Sequence, residues 1–234
     1  MAAVIRPRFY AWIALAITLI MVVGFSRTFY LRHWFDVPPI SPLLILHGIV
    51  FTAWFAMFVV QTRLVAAGNV RLHRKVGAAG VVLAILVIVV TAISIVESAN
   101  SPRPRPMGLN AQQFTFVPVV GIVGFAVCFA AAISLRRRAD LHRRLMMLAM
   151  IFIMGPPVAR ILLVLGAQSK FLLAQTAISM ALIGACLVYD WVKHRTVHPI
   201  YSIGGVILLV SWPLRFWVAA TPQWEAVGRW MAGI

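Results

Sequence analysis

Polar residues interrupt this chain rarely and in short bursts. Apolar runs of helical length recur seven times, at roughly 9–26, 42–63, 74–97, 114–135, 142–166, 171–192 and 199–219. A helix needs about 20 such residues to cross a hydrocarbon core, so each run predicts a membrane span. The gaps carry the punctuation of turns: "DVPPISP", "AAGNVR", "SPRPRPMGLN", "RRRAD", "GAQSK" and "HRTVHP". None has room for a soluble domain. The pattern therefore predicts an all-α, polytopic bundle of seven transmembrane helices, a single domain over residues 1–234.

Details within the runs sharpen this picture. Arg6 and Arg8 precede the first run as they would in a signal peptide, but its length and the spans after it predict an uncleaved helix. In the fifth run "GPP" (155–157) removes ladder hydrogen bonds and predicts a kink. Asp140 is placed to cap that helix, with His142 in its first turn. Beyond the seventh run, Thr221 and Pro222 suit a helix start, and Trp224, Val227 and Trp230 follow at helical spacing. That tail predicts a short interfacial helix.

Composition agrees. The chain is 62% hydrophobic and 11% charged, whereas a soluble domain carries about 25% charged residues. Lipid is the solvent such a chain requires. The formal net charge of +16 would suit a nucleic-acid binder if it lined one face. Here it sits in the short gaps, which argues against a nucleic-acid partner and for a topology signal. One side holds Arg6, Arg8, Arg63, Arg71, Arg74, Lys75, Arg136, Arg137, Arg138, Arg143, Arg144, Lys193 and Arg195; the other holds Arg27, Arg32, Arg103, Arg105 and Lys170. The richer side is expected to face the cytoplasm, with the N-terminus inside and the C-terminus outside. The expected location is the cell (inner) membrane, multi-pass, with membrane lipids as neighbours.

Helical stripes mark the faces that should pack. Span three offers His73, Gly77, Gly80, Ala84, Val87, Thr91, Ser94 and Ser98; span six offers Gln175, Ser179, Leu182, Cys186 and Tyr189; span seven offers Tyr201, Gly204, Leu208, Ser211 and Arg215. Small residues let membrane helices approach closely, so these are expected interfaces. Cys128 and Cys186 lie inside apolar runs and predict no disulfide framework.

Two segments share a motif: "LHRKVG" at 72–77 and "LHRRLM" at 141–146. Together with His47, Gln61 and Arg160, they make the chain resemble a family of bacterial membrane proteins catalogued as domain of unknown function 2306. The likeness covers roughly residues 42–165 and implies a polytopic helical bundle with no established activity. One departure is that the second motif is followed by "MMLAM", where the family pattern leads one to expect a Trp and a more polar turn.

Two candidate sites follow. His73 and His142, with Arg74 and Arg143 beside them, have the residue types for a b-type haem and its propionates, a weaker likeness to transmembrane b-type cytochromes. Alternatively these pairs simply anchor the chain at anionic headgroups. The second candidate is a polar pocket of His47, Glu97, Arg160 and Arg215 within the membrane. Intramembrane charges are functional by default, although an arginine can also snorkel to the surface. This pocket suits an anionic small molecule, lipid or membrane-protein partner, and a small-solute transporter is the variant that adds movement. Several chemistries are disfavoured. The last span has no Lys for a retinal Schiff base, and neither H-E-x-x-H nor G-x-S-x-G occurs. His194 and His198 have the spacing of a metal box, but Pro199 disfavours helix at His198. No residue pattern here identifies a catalytic group.

Overall fold

A computed structural model describes residues 8–102 and 105–234; Arg6 and Arg103, counted above for topology, lie outside the described residues. Among the described residues every regular element is helical. Among these same residues, seven helical stretches are long and apolar enough to cross a membrane: Phe9–Tyr30, Pro42–Ala66, Val70–Ala99, Ala111–Ser134, Ala139–Val164, Gln168–His194 and Pro199–Ala219. The chain is an all-α helical bundle of membrane character, as the apolar pattern predicts.

The ends of the spans shift for local reasons. The second span (α2, Pro42–Ala66) starts where expected: the Ser41 side chain accepts the Leu44 N–H at 3.2 Å and proline fills the first helical position. The third (α3, Val70–Ala99) begins four residues before the apolar run. Asn69 causes this, since its Oδ1 accepts the Leu72 N–H at 3.1 Å and draws the basic turn 70–75 into the helix. The fourth span is a short α4 (Ala111–Phe114) followed by α5 (Phe116–Ser134). The fifth is broken as "GPP" predicts, into α6 (Ala139–Phe152) and α7 (Gly155–Val164). Pro156 and Pro157 cannot donate to the carbonyls of Phe152 and Ile153, so the ladder stops there. The sixth and seventh spans are α8 (Phe171–His194) and α9 (Pro199–Ala219), and the tail is α10 (Pro222–Ala232). The first span is α1 (Phe9–Phe25), extended by a π-helical turn over Ser26–Tyr30.

The helices gather into two compact units, one up to Thr91 and one from Ala92 onward, the division falling within α3. In the first unit the core is Ala14, Ile17 and Met21 of α1, Trp54, Phe55 and Phe58 of α2, and Ala84 and Val87 of α3. The small-residue stripe of α3 is thus its buried face. Tyr30 ties α1 to α2: its hydroxyl lies 2.7 Å from Thr52 Oγ1 and donates to Met21 Sδ at 3.3 Å. Lipid tails are as apolar as the core, so close packing and such hydrogen bonds hold the helices together.

In the second unit α6 packs on α5 and α9, and α9 on α8. The segment from Met147 of α6 to Met154 at the break before α7 is buried all round, which is why its pattern is continuous rather than striped. The α8–α9 register runs from Phe171, whose ring meets Trp212 and Phe216, to Ile183 at Gly205. The tail helix is docked rather than loose. Glu225 accepts from Asn110 Nδ2 at 3.1 Å and Gln113 Nε2 at 3.0 Å, and Trp224 Nε1 donates to Thr115 Oγ1 at 3.1 Å. Trp224 turns inward onto Phe116, while Trp230 of the same helix is 77% exposed. Thr221 and Pro222 start α10 as expected.

Candidate functional site

The shared Leu-His-Arg motif does different things in the two units. In the first, His73 faces the last turns of α2. The Gln61 amide donates to His73 Nδ1 and to the His73 carbonyl at 3.1 Å, and accepts from the Gly77 N–H at 3.0 Å. One side chain thereby bridges a rung of the α3 ladder. A neutral imidazole that accepts at Nδ1 carries its proton on Nε2. Arg74 and Lys75, the next two residues, are exposed. In the second unit His142 also reaches back onto the preceding helix, with Nδ1 2.8 Å from the Ala132 carbonyl. That contact calls for the opposite tautomer, with the proton on Nδ1. Each histidine therefore closes a helical hairpin at its turn.

After His142 the motif turns inward. Arg143 is half-buried, and Arg144 is only 4% exposed. Arg144 Nε donates to Asp190 Oδ2 at 3.0 Å and Nη2 to Asp190 Oδ1 at 2.8 Å, while Nη1 donates to the Asp140 carbonyl at 2.9 Å. Asp190 is fully buried and also accepts the His198 N–H at 3.4 Å. The arginine lies 5.8 Å from the Tyr201 ring centroid. The result is a two-pronged ion pair joining α6, α8 and the start of α9, geometry that only a guanidinium provides.

Asp140 does not cap α6 as expected. The helix starts two residues earlier than such a cap implies, at Ala139 with Arg138 as its N-cap, and Asp140 falls in its first turn, 3.9 Å from Arg144 Nη1 and 3.8 Å from His198 Nε2. Nor do His194 and His198 share a helix face. His194 ends α8, and His198 is the N-cap of α9, its Nδ1 accepting the Ile200 N–H at 3.2 Å. Among the described residues no cluster of three His, Cys, Asp or Glu side chains is placed to hold a metal.

The intramembrane candidates fall in both units. In the first, His47 of α2 stacks on Phe51, with ring centroids 4.4 Å apart, and is half-buried within hydrogen-bonding reach of the Val90 backbone. In the second, Glu97 near the end of α3 is half-buried with its Oε2 enclosed and without a hydrogen-bond partner. Arg160 is half-buried in α7. Glu97 makes no ion pair with Arg160 or Arg215.

Arg215 differs from these. It is 1% exposed, four residues from the end of α9, so it does not snorkel. Its guanidinium lies 4.0 Å over the Trp212 ring, and Nη2 reaches Ser211 Oγ at 3.4 Å. Nε is enclosed without a partner, as is Trp212 Nε1. No carboxylate pairs with it among the described residues. Gly121 of α5 lies beside it: a β-carbon there would stand 3.9 Å from Nη1, an ordinary contact, and a tighter 3.3 Å from the Phe152 carbonyl oxygen. The arginine therefore borders the break between α6 and α7, where the Phe152 carbonyl has lost its ladder donor. Gln175 of α8, level with Trp212 in the helix register, is fully buried and its Oε1 also lacks a partner. A buried guanidinium with open donors attracts an anion and, in a low-dielectric setting, holds it strongly.

Asp190 escaped the sequence argument. The chain has five acidic residues in all, and one at the end of an apolar run carries a signal. The stripe 175, 179, 182, 186 continues to 190 as readily as to 189, and Tyr189 is only half-buried where Asp190 is fully so. No family model, curated protein or solved structure matches the chain.

Proposed function

We propose that this is a multi-pass protein of the cell (inner) membrane that binds an anionic small molecule, lipid or partner group within its second unit. The observation that carries this reading is Arg215: a guanidinium 1% exposed inside a membrane span, with no carboxylate partner among the described residues and an enclosed, unpartnered Nε. Leaving such a charge unpaired is expensive, and an anionic ligand relieves that cost when it binds. The exposed Arg136, Arg137, Arg138, Lys193 and Arg195 of the same unit support an orientation with this end in the cytoplasm, against anionic headgroups. The Leu-His-Arg pattern supports the likeness to the domain of unknown function 2306 family.

The broken fifth span supports the transporter variant, because a helix that ends and restarts beside the buried cation supplies a joint next to the ligand. The b-type haem alternative draws on His142, since an imidazole that donates from Nδ1 to a backbone carbonyl presents Nε2 to a metal. Its proposed partner His73 is held by Gln61 in the tautomer that does not. An optical spectrum of protein from haem-replete cells separates the two: a colourless folded protein removes the haem alternative.

Native mass spectrometry tests the main reading. Wild-type protein in nanodiscs of mixed anionic and neutral lipid should retain an anionic adduct that Arg215→Gln loses and Arg160→Gln keeps. Identical adducts on wild type and Arg215→Gln would overturn it.

A further inference from the structure

Among the described residues the second unit holds two buried arginines, and one of them shows what the other is built to take. Arg144 presents its Nε and Nη2 edge to a carboxylate, with the two bonds at 3.0 and 2.8 Å, and lies beside the Tyr201 ring. Arg215 has the same burial and lies against an aromatic ring, Trp212. On its corresponding edge Nε has no partner, and Nη2 has only the long 3.4 Å contact to the Ser211 hydroxyl. The planar fork of a guanidinium matches the two oxygens of a carboxylate in spacing and direction.

Charge narrows the choice further. Among the described residues Arg215 is the one buried cation of this unit that no buried carboxylate answers, so one negative charge neutralises it. A dianion such as hydrogen phosphate or a phosphate monoester would bring an uncompensated charge into a site closed to water, which is strongly penalised. A spherical halide would meet one prong of the fork and leave the other open. The enclosed, unpartnered Trp212 Nε1–H offers one further donor beside the guanidinium.

Resting on the anion-binding reading above, we infer that the ligand of Arg215 is a small monocarboxylate, held two-pronged by Nε and Nη2 in the way Asp190 is held by Arg144. Ser211 and Trp212 orient the guanidinium.

The test uses purified full-length protein in detergent, with butyrate and benzoate as probes, their methyl esters as neutral controls, and chloride and inorganic phosphate as competing anions. Thermal unfolding and tryptophan fluorescence are the readouts. Butyrate or benzoate should raise the unfolding midpoint and perturb the fluorescence, and the esters should do neither. Trp212→Phe should abolish most of the fluorescence change while the thermal shift remains. Arg215→Lys, which keeps the charge and loses the fork, should weaken carboxylate binding by more than about tenfold, as expected when a charge-assisted hydrogen bond is lost. Equal shifts from acid and ester, or an undiminished effect in Arg215→Lys, would overturn the inference. A phosphate or chloride shift without a carboxylate shift overturns the carboxylate assignment and leaves the anion-binding reading standing. If no small anion acts and the Arg215-dependent adduct is also absent, both fall. Should Arg215→Gln fail to fold, the acid-against-ester contrast and Arg215→Lys still decide.

Discussion

Arg144 and Arg215 occupy opposite situations within one unit of this protein. Both are arginines on membrane-spanning helices, and both are almost wholly removed from solvent, at 4% and 1% exposure. Arg144 finds a buried carboxylate, a backbone carbonyl and an aromatic ring, and its charge is answered by the protein itself. Arg215 finds a ring and a hydroxyl, and its charge is not answered. The first arrangement is self-contained and ties three helices. The second is incomplete, and incompleteness at a buried charge is what separates a site from a brace.

The difference predicts a graded series of responses. The largest belongs to Asp190→Asn. It leaves Arg144 charged, buried and unpaired, and breaking such a pair from one side costs about 3–5 kcal/mol. Unfolding in graded SDS should show that loss. The double variant Arg144→Leu/Asp190→Leu should recover much of it, since an apolar pair of similar volume is often as stable as the ion pair it replaces. If Asp190→Asn is neutral, Arg144 is not the brace described here.

Next comes Arg144→Lys, which keeps the charge but offers a point donor in place of a fork. It should lose the paired contact to Asp190 along with the carbonyl contact to Asp140. An expected loss of about 1–3 kcal/mol, the scale of a charge-assisted hydrogen bond, is measurable by the same unfolding series. A full wild-type midpoint in Arg144→Lys would show that charge alone, not geometry, makes the joint.

Arg215→Leu should act in the opposite sense. It removes a desolvated charge that no protein carboxylate compensates, so ligand-free stability should stay within about 1 kcal/mol of wild type or rise. The ligand-dependent shift should vanish. A loss as large as that of Asp190→Asn would mean that Arg215 braces the break at Phe152, and the comparison between the two arginines would collapse.

How much of this could be read beforehand follows from range. Span number and the break at "GPP" are local: each depends on composition or on proline within one helix, and the structure has both. The buried stripe of α3 was equally legible, because small residues at alternating spacing of three and four mark one face wherever the neighbours lie. The Arg144–Asp190 pair was not, because its partners stand 46 positions apart on helices whose register no single-helix pattern reveals. The stripe on α8 came within one residue of Asp190 and stopped at Tyr189. Arg215 was visible as an intramembrane charge, but its burial depends on Gly121 and Phe152 of other helices. Asp140 has the look of a cap because it precedes an apolar run, yet its helix begins two residues sooner and turns its carboxylate toward His198.

The smallest effect is expected at Lys75, and it carries the comparison into the shared motif. Counting from the histidine, Lys75 holds the place in the first motif that Arg144 holds in the second. If the motif were a recognition signature in itself, the two residues would be equally important. Lys75 is exposed, and the hairpin beside it is already closed by Gln61 on His73 and Gly77. Lys75→Ala should therefore change stability by less than about 0.5 kcal/mol, the usual scale for surface substitutions. Gln61→Leu in the same hairpin should cost about 1 kcal/mol or more, because it removes the donor to His73 Nδ1 and both contacts to the α3 backbone. Equal penalties for Lys75→Ala and Arg144→Ala would indicate that the sequence repeat governs function directly. A silent Lys75 beside a critical Arg144 would instead mean that one hairpin motif has been put to two uses, separated by whether a carboxylate waits on the neighbouring helix.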